Sequence, residues 1–188
     1  GYLPGRTDGN TADGGAVGEA GGSHAGAGHE DSNDATNAVY GDFRLPDRPG
    51  AGGSTPGYGG AGGGVIRITA GEALIDGAVR ADGNPGSYLL FGPAGGGGAG
   101  GSVRLDIDTL SGTGVVSASG GPGPGICSGG GGGRIALRYT DRSGFELGRF
   151  QVHGGAGGDG AGGIGTLYLQ DSVSGNEQLR IDSHGVEA

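Results

Sequence analysis

Four times along the chain, a run of glycines leads directly into a short segment in which apolar and polar residues alternate. These segments begin at Val65, Val103, Ile135 and Leu167, which lie 38, 32 and 32 residues apart. Recurrence at a nearly fixed interval of this size is typical of architectures in which each repeat packs on its neighbours. The glycine runs are therefore predicted to be ordered parts of a repeating unit.

A second short alternating segment follows each of these strands after a polar turn. Because successive side chains of a strand point to opposite faces, the alternation assigns one apolar face to every strand. We predict two apolar ladders, one from the first strands and one from the second. The first consists of Ile66, Ile68, Val103, Leu105, Ile135, Leu137, Leu167 and Leu169, and the second of Val79, Val116, Phe150 and Ile181.

The predicted fold is all-β, with essentially no α-helix, because no segment combines helical periodicity with capping residues. Two ladders that face each other fit either a glycine-rich β-solenoid or a β-sandwich of short stacked strands. Residues 65–188 hold the four repeats. Residues 1–64 are expected to form an extended, polyproline-II-like segment that packs on this core, since glycine lets neighbouring backbones approach closely.

Composition limits the core that such a fold can have. Of 188 residues, 54 are glycine and only 32% are hydrophobic, so a thick side-chain core is not expected. A collagen triple helix is excluded, because the glycines follow no Gly-X-Y period and there are only 8 prolines.

The net charge of −9 argues against nucleic acid and anionic membranes as partners. All 11 basic residues are arginines and they are dispersed in the sequence, so no basic patch is predicted. No apolar run is long enough to insert into a membrane. The chain contains no Met, even at position 1, which indicates a processed or excised chain, and we expect an extracellular or cell-surface location.

Candidate metal ligands are few and match no established spacing. The weak candidates are His24, His29, Asp31 and Asp159, and a solvated polar loop is the better explanation for the first three. The segment around Asp159 partly resembles a calcium-binding repeat, but it occurs once, so calcium is a minor possibility and no cofactor is expected. Cys127 is either a small buried apolar residue or the site of an intermolecular disulfide.

Catalytic signatures are lacking, and the protein is predicted not to be an enzyme. No glycine run ends in the Gly-Lys-Ser/Thr of a phosphate loop, and the chain has no Lys. The neighbours Ser23 and His24, and likewise Ser183 and His184, have no visible third residue to orient them.

Two blocks resemble glycine-rich repeat modules of large secreted and cell-surface proteins of bacteria and protists. They are Gly-Gly-Gly-Gly-Gly-Arg-Ile-Ala-Leu-Arg-Tyr-Thr-Asp at 129–141 and Gly-Gly-Ile-Gly-Thr-Leu-Tyr-Leu at 162–169. A looser, compositional similarity links the chain to polyproline-II bundle proteins. The resemblance implies a module without enzymatic activity.

Two functions fit these features. The first is a structural subunit that polymerises into an extracellular fibre or surface layer, through uncapped β edges and the extended N-terminal segment. The alternative is an adhesion module of a larger secreted protein, in which loop aromatics meet a glycan or another surface. The candidate aromatics are Tyr58, Tyr88, Phe91 and Tyr168. Ice binding is disfavoured because threonines do not recur at a fixed position of the repeat.

Overall fold

The computed structural model describes residues 1–30, 34–54, 58–87 and 94–181. Over these residues the chain is all-β and forms a β-solenoid of about three turns, as the periodicity predicts. The described residues contain no α-helix, and two short 3₁₀ turns occur at Asp8–Asn10 and Leu147–Arg149. The strands are β1 (Val65–Leu74), β2 (Ala78–Arg80), β3 (Ser102–Ser111), β4 (Val115–Ser117), β5 (Arg134–Gly144), β6 (Phe150–Gln151), β7 (Thr166–Asp171) and β8 (Glu177–Arg180).

The first sheet has the strand order β1-β3-β5-β7-β8, and its first four strands are parallel. Their register aligns the predicted ladder positions directly, so that Ile66, Val103, Ile135 and Leu167 form one row across the sheet. Parallel strands in the same sheet need a long connection. Here each connection runs through the second sheet and a glycine run, and this makes the fold a solenoid rather than a sandwich.

The second sheet contains the parallel strands β2, β4 and β6. It places Val79, Val116 and Phe150 in one row that faces the first sheet. The Phe150 ring meets Phe145 edge to face, with 5.3 Å between the ring centroids. The core is thin, as the composition predicts. Its buried ladder members are Val103, Leu105, Val116, Ile135, Leu137, Phe150, Leu167 and Leu169.

The prediction for Ile181 was wrong. Leu179-Arg180-Ile181 was expected to add a fourth strand to the second sheet, but β8 turns back and pairs antiparallel with β7 in the first sheet. Ile181 follows β8 and is 61% exposed, so it belongs to neither ladder. The reversal occurs at a tight turn in which Gly175 has φ 73° and Asp171 accepts hydrogen bonds from the amides of Val173 and Ser174.

The glycine runs lie side by side in a bundle next to the sheets, and they are neither strand nor helix. Gly130 is a buried member of this bundle. Its N–H donates to the Gly121 carbonyl at 3.0 Å, and its own carbonyl accepts from Gly155 N–H at 2.7 Å. A Cβ at Gly130 would lie 2.2 Å from the Gly98 carbonyl oxygen. Hydrogen bonds between backbones therefore replace a side-chain core here, and only glycine permits the approach.

The N-terminal segment is part of the same bundle. Gly22 N–H donates to Gly97 O at 2.9 Å, and Gly22 O accepts from Gly131 N–H at 2.8 Å. Nearer the start of the chain, Tyr2 N–H donates to Gly50 O at 3.1 Å. Backbone groups of residues 1–30 and 34–54 are thus used within the subunit. No helix in the described residues is long and apolar enough to cross a membrane.

Candidate functional site

The four candidate metal ligands do not form a cluster. His24 is fully buried and its Nδ1 lies 2.9 Å from the Gly100 carbonyl oxygen. His29 Nδ1 lies 3.1 Å from the Ser128 hydroxyl, and Asp159 is exposed on the surface. Asp31 is outside the described residues. Among the described residues, no group of three or more His, Cys, Asp or Glu side chains could hold a metal ion.

His24 instead fixes the N-terminal segment against the repeats. Its ring centroid is 4.9 Å from that of Tyr40, whose carbonyl accepts hydrogen bonds from the Arg134 guanidinium at 2.8 and 3.2 Å. The pKa of His24 is lowered to about 4, chiefly by burial, and the nearby positive charge of Arg134 acts in the same direction. Its Nε2 is buried and has no hydrogen-bond partner. His24 is therefore a neutral, structural histidine at neutral pH.

The neighbouring Ser23 is not activated by His24. The Ser23 hydroxyl lies 2.6 Å from the Thr36 hydroxyl and accepts a hydrogen bond from the Gly28 amide at 2.8 Å. The His24 ring points to a different partner, the Gly100 carbonyl. The second serine–histidine pair, at 183 and 184, lies outside the described residues.

Cys127 matches the first of its two interpretations. The side chain is fully buried, and burial, with a smaller effect of nearby acidic residues, raises the pKa of its thiol to about 11. A buried thiol with a high pKa is a poor nucleophile and a poor partner for a disulfide.

One end of the solenoid is bare. β1 is an edge strand of ten residues, and in the described chain no strand pairs with its outer edge. Ile66 and Ile68 are only partly buried, although Val103 and Leu105, which occupy the same rows one strand further in, are fully buried. We call β1 and β2 the open end. On the outer side, the ladder side chains of these two strands have no further strand of the described chain to pack against, whereas side chains on inner strands have a neighbour on both sides.

The opposite end is covered in the first sheet. β8 pairs Gln178 with Leu169 and Arg180 with Leu167, and these two leucines are 2% and 5% exposed. Glu177 in β8 forms a salt bridge of 3.0 Å with Arg44 from the N-terminal segment. The hydrogen bond from Arg44 is the main cause that holds the pKa of Glu177 below its usual range. The two ends of the solenoid are therefore different.

The outer face of the first sheet carries a groove that the sequence analysis missed. The register pairs Arg67 with Arg104, and Asp106 with Arg138, on three adjacent strands. The expectation that the arginines remain dispersed was wrong for these three. They line an open depression of about 670 Å³, which we call the arginine groove. Its lining includes Arg67, Thr69, Arg104, Asp106, Asp108, Arg138 and Ser172.

A smaller depression of about 80 Å³ shares Arg104, Asp106 and Arg138 with the arginine groove and extends it toward Arg44. The Arg44 guanidinium lies over the rings of Phe43 and Tyr168, at 4.7 and 5.7 Å from their centroids. The Tyr168 side chain, covered by Arg44, is only 5% exposed, so it cannot offer its ring for stacking with a ligand. Of the other aromatics proposed to meet a ligand, Tyr58 is partly buried, and Tyr88 and Phe91 lie outside the described residues.

The signal for the groove was present in the alternation. Arg67, Arg104 and Arg138 all occupy outward positions of first strands, on the face opposite the ladders. Only the alignment of successive turns brings the three together, since they are 37 and 34 residues apart in sequence.

Comparisons of this chain with protein-family models, with curated proteins and with solved structures find no match.

Proposed function

We propose that the protein is a non-enzymatic structural subunit that assembles with copies of itself into an extracellular fibre or surface layer. The observation that supports this most directly is the open end. The rows of both ladders end here in the partly buried side chains of Ile66, Ile68 and Val79. The members of the same rows on inner strands are buried.

The edge of β1 is a favourable template for pairing. Long exposed edge strands promote association between chains, and soluble proteins usually shorten, charge or cover them. β1 has ten residues, and its outer edge is not covered in the described chain. A second copy that adds a strand here would complete the backbone hydrogen bonds of β1 and bury the two isoleucines.

The charge of the open end favours a second copy over a differently charged partner. The residues from β1 through β2 carry Arg67, Glu72, Asp76 and Arg80, and these charges cancel, although the whole chain has a net charge of −9. Two copies therefore approach at this surface without the like-charge repulsion that opposes contact elsewhere.

Fewer surfaces are available for assembly than the sequence suggested. The N-terminal segment was expected to lie across a neighbouring subunit, but many of its described backbone groups form hydrogen bonds within the chain. The longest remaining edge strands are those of the first sheet, β1 at the open end and β8 at the other. Pairing β1 of one copy with β8 of the next is a heterologous contact, which generates an open fibre, whereas pairing β1 with β1 closes a dimer.

Light scattering and negative-stain electron microscopy of the purified chain test this proposal. We expect large, regular assemblies for the natural sequence. The variant Ile68→Lys is expected to lose them, because it places a charge on the edge strand β1, at the end of a ladder row. Thr140→Lys is the matched control, since Thr140 is exposed in the central strand β5. A natural sequence that stays a sharp monomer at high concentration refutes the proposal, as does an Ile68→Lys variant that assembles normally.

A further inference from the structure

The arginine groove has the features of a ligand site. It gathers three of the chain's 11 arginines on one surface of an otherwise acidic protein, and two of them, Arg67 and Arg138, are exposed to solvent. We propose that this groove binds a linear acidic polysaccharide that carries about one carboxylate per sugar. The proposal goes beyond self-assembly and does not depend on it, because side chains on the outer face of the sheet form the groove, whereas assembly uses the backbone edge of β1.

Asp106 organises the groove. It accepts two contacts from Arg104, with Nε at 2.9 Å from Oδ2 and Nη2 at 3.2 Å from Oδ1. It also attracts Arg67, whose Nη2 lies 3.8 Å from Oδ2. Arg104 is thereby held in an ion pair and is partly buried, with 23% of its side chain exposed. Asp106 therefore holds Arg104 and attracts Arg67, and the exposed guanidinium groups of Arg67 and Arg138 remain available to a ligand.

Arg138 has a weak partner in the described chain. Its Nε donates to the Ser172 hydroxyl at 3.3 Å, and the salt bridges among described residues do not include it. A guanidinium offers a planar fork of donors that fits a carboxylate in a bidentate manner. Arg67 and Arg138 can each bind one carboxylate of the ligand in this way.

The spacing of the two arginines favours an extended ligand. Strands in a sheet are about 4.8 Å apart and rise about 3.3 Å per residue, so the Arg67 and Arg138 backbones, two strands and two positions apart, are separated by about 12 Å. The groove is open and continues into the smaller depression near Arg44. A small anion would engage one arginine, whereas a polymer with regularly spaced carboxylates reaches both.

The small positive charge of the groove favours a polyanion of low charge density. Three arginines face Asp106 and Asp108 in the groove lining, which leaves a small positive excess. A densely sulfated polymer or a nucleic acid would meet these two carboxylates as well as the net negative charge of the chain. Single-stranded nucleic acids also gain affinity by stacking bases on exposed aromatic side chains, and the Tyr168 ring beside the groove is buried. A polymer with sparse carboxylates meets the least repulsion.

Isothermal titration calorimetry with sodium polygalacturonate tests the site. We expect Arg67→Gln to weaken binding by about 5-fold, and Arg67→Gln with Arg138→Gln by about 25-fold, as exposed charge-assisted hydrogen bonds are lost. Arg80→Gln is the matched control and is expected to stay within about 2-fold. Arg80 lies in the second sheet with 66% of its side chain exposed and 3.6 Å from Asp82, and Arg67 has 63% exposed and 3.8 Å to Asp106.

The fully methyl-esterified polymer, which has no carboxylates, is expected not to bind, and Arg67→Lys to bind with intermediate affinity because it keeps the charge without the fork. Thermal melts followed by circular dichroism verify that each variant is folded. Absence of binding by the natural sequence overturns the proposal. If Arg80→Gln weakens binding as much as Arg67→Gln does, the loss of affinity comes from net charge alone and the groove is not the binding site. Single-stranded DNA or dextran sulfate binding more tightly through the same arginines would refute the choice of ligand.

Discussion

Replacing Gly130 by alanine tests whether close backbone approach holds the glycine bundle together. The new Cβ would lie 2.2 Å from the Gly98 carbonyl oxygen and 2.5 Å from its carbonyl carbon. Both atoms belong to the backbone, so no side chain can rotate away. The runs that contain Gly130 and Gly98 must therefore separate by more than about 1 Å to reach an ordinary carbon–oxygen contact, since optimal non-bonded separations are about 3.5 Å.

The separation affects two further runs, because Gly130 is bonded to both. It donates to Gly121 at 3.0 Å and accepts from Gly155 at 2.7 Å. A lost hydrogen bond costs about 1 kcal/mol net, and a buried group left unpaired costs about 1–3 kcal/mol. Breaking both bonds in this buried position is expected to lower the free energy of unfolding by about 3–6 kcal/mol. That is a large share of the 5–15 kcal/mol by which domains are usually stable.

Gly77→Ala is the matched control. Gly77 is exposed between β1 and β2, its φ is not in the left-handed region, and a Cβ there would meet no atom within 4 Å. This variant is expected to change stability by less than about 1 kcal/mol, because alanine only reduces the entropy of the unfolded chain.

Thermal melts and amide hydrogen exchange provide the readout. For a chain of this length, about 1 kcal/mol shifts Tm by roughly 2–4 °C, so Gly130→Ala is expected to melt about 10–20 °C below the natural sequence. The Gly155 amide should also exchange faster. If Gly130→Ala melts within about 3 °C of Gly77→Ala, the close approach of the runs contributes no stability and the reasoning is refuted.

Two further predictions concern the core and pH. Phe150→Ala should lower the free energy of unfolding by about 3–5 kcal/mol, because it removes a buried ring that packs on Phe145. Val173→Ala, at a position 75% exposed, should change it by less than about 0.5 kcal/mol in denaturant titrations. His24 has a pKa of about 4 in the folded chain and 6.5 in the unfolded chain, so the unfolded state alone binds a proton between these values. Stability should therefore be unaffected by His24 above pH 6.5, fall as the pH drops from 6.5 to 4, and lose about 3 kcal/mol in total. In His24→Gln this part of the pH dependence should be missing, and an identical pH profile in the two proteins would contradict the assignment.

Much of the architecture follows from local pattern. A strand has a side-chain period of two, so the alternation around Ile66, Val103, Ile135 and Leu167 determines which face of each strand is apolar. Once the repeat interval aligns these segments, the rows of the first sheet follow. The thin core also follows, because 54 glycines cannot supply apolar side chains.

The end of the chain shows where local pattern fails. Leu179-Arg180-Ile181 alternates like the second strands of earlier repeats, and alternation carries no information about strand direction or about the sheet that a strand joins. The turn after Asp171, with Gly175 at φ 73°, reverses the chain and pairs β8 with β7. Ile181 is consequently exposed, and in the described residues the inner strand β7 is covered by β8, whereas β1 at the other end of the first sheet has no strand beside it.

The sequence by itself determined the strand faces, the repeat and the need for glycine, because side-chain period and side-chain size are properties of single residues and their neighbours. Only the tertiary structure decided which residues share a surface. Arg67, Arg104 and Arg138 look dispersed in sequence and become neighbours because each turn of the solenoid returns to the same face one strand spacing further along. His24 and Asp159 have the chemistry of metal ligands, yet the packing of the bundle buries one and exposes the other. The alignment of successive turns of the solenoid depends on the length and path of every connection. It determines both that the three arginines meet and that His24 and Asp159 do not.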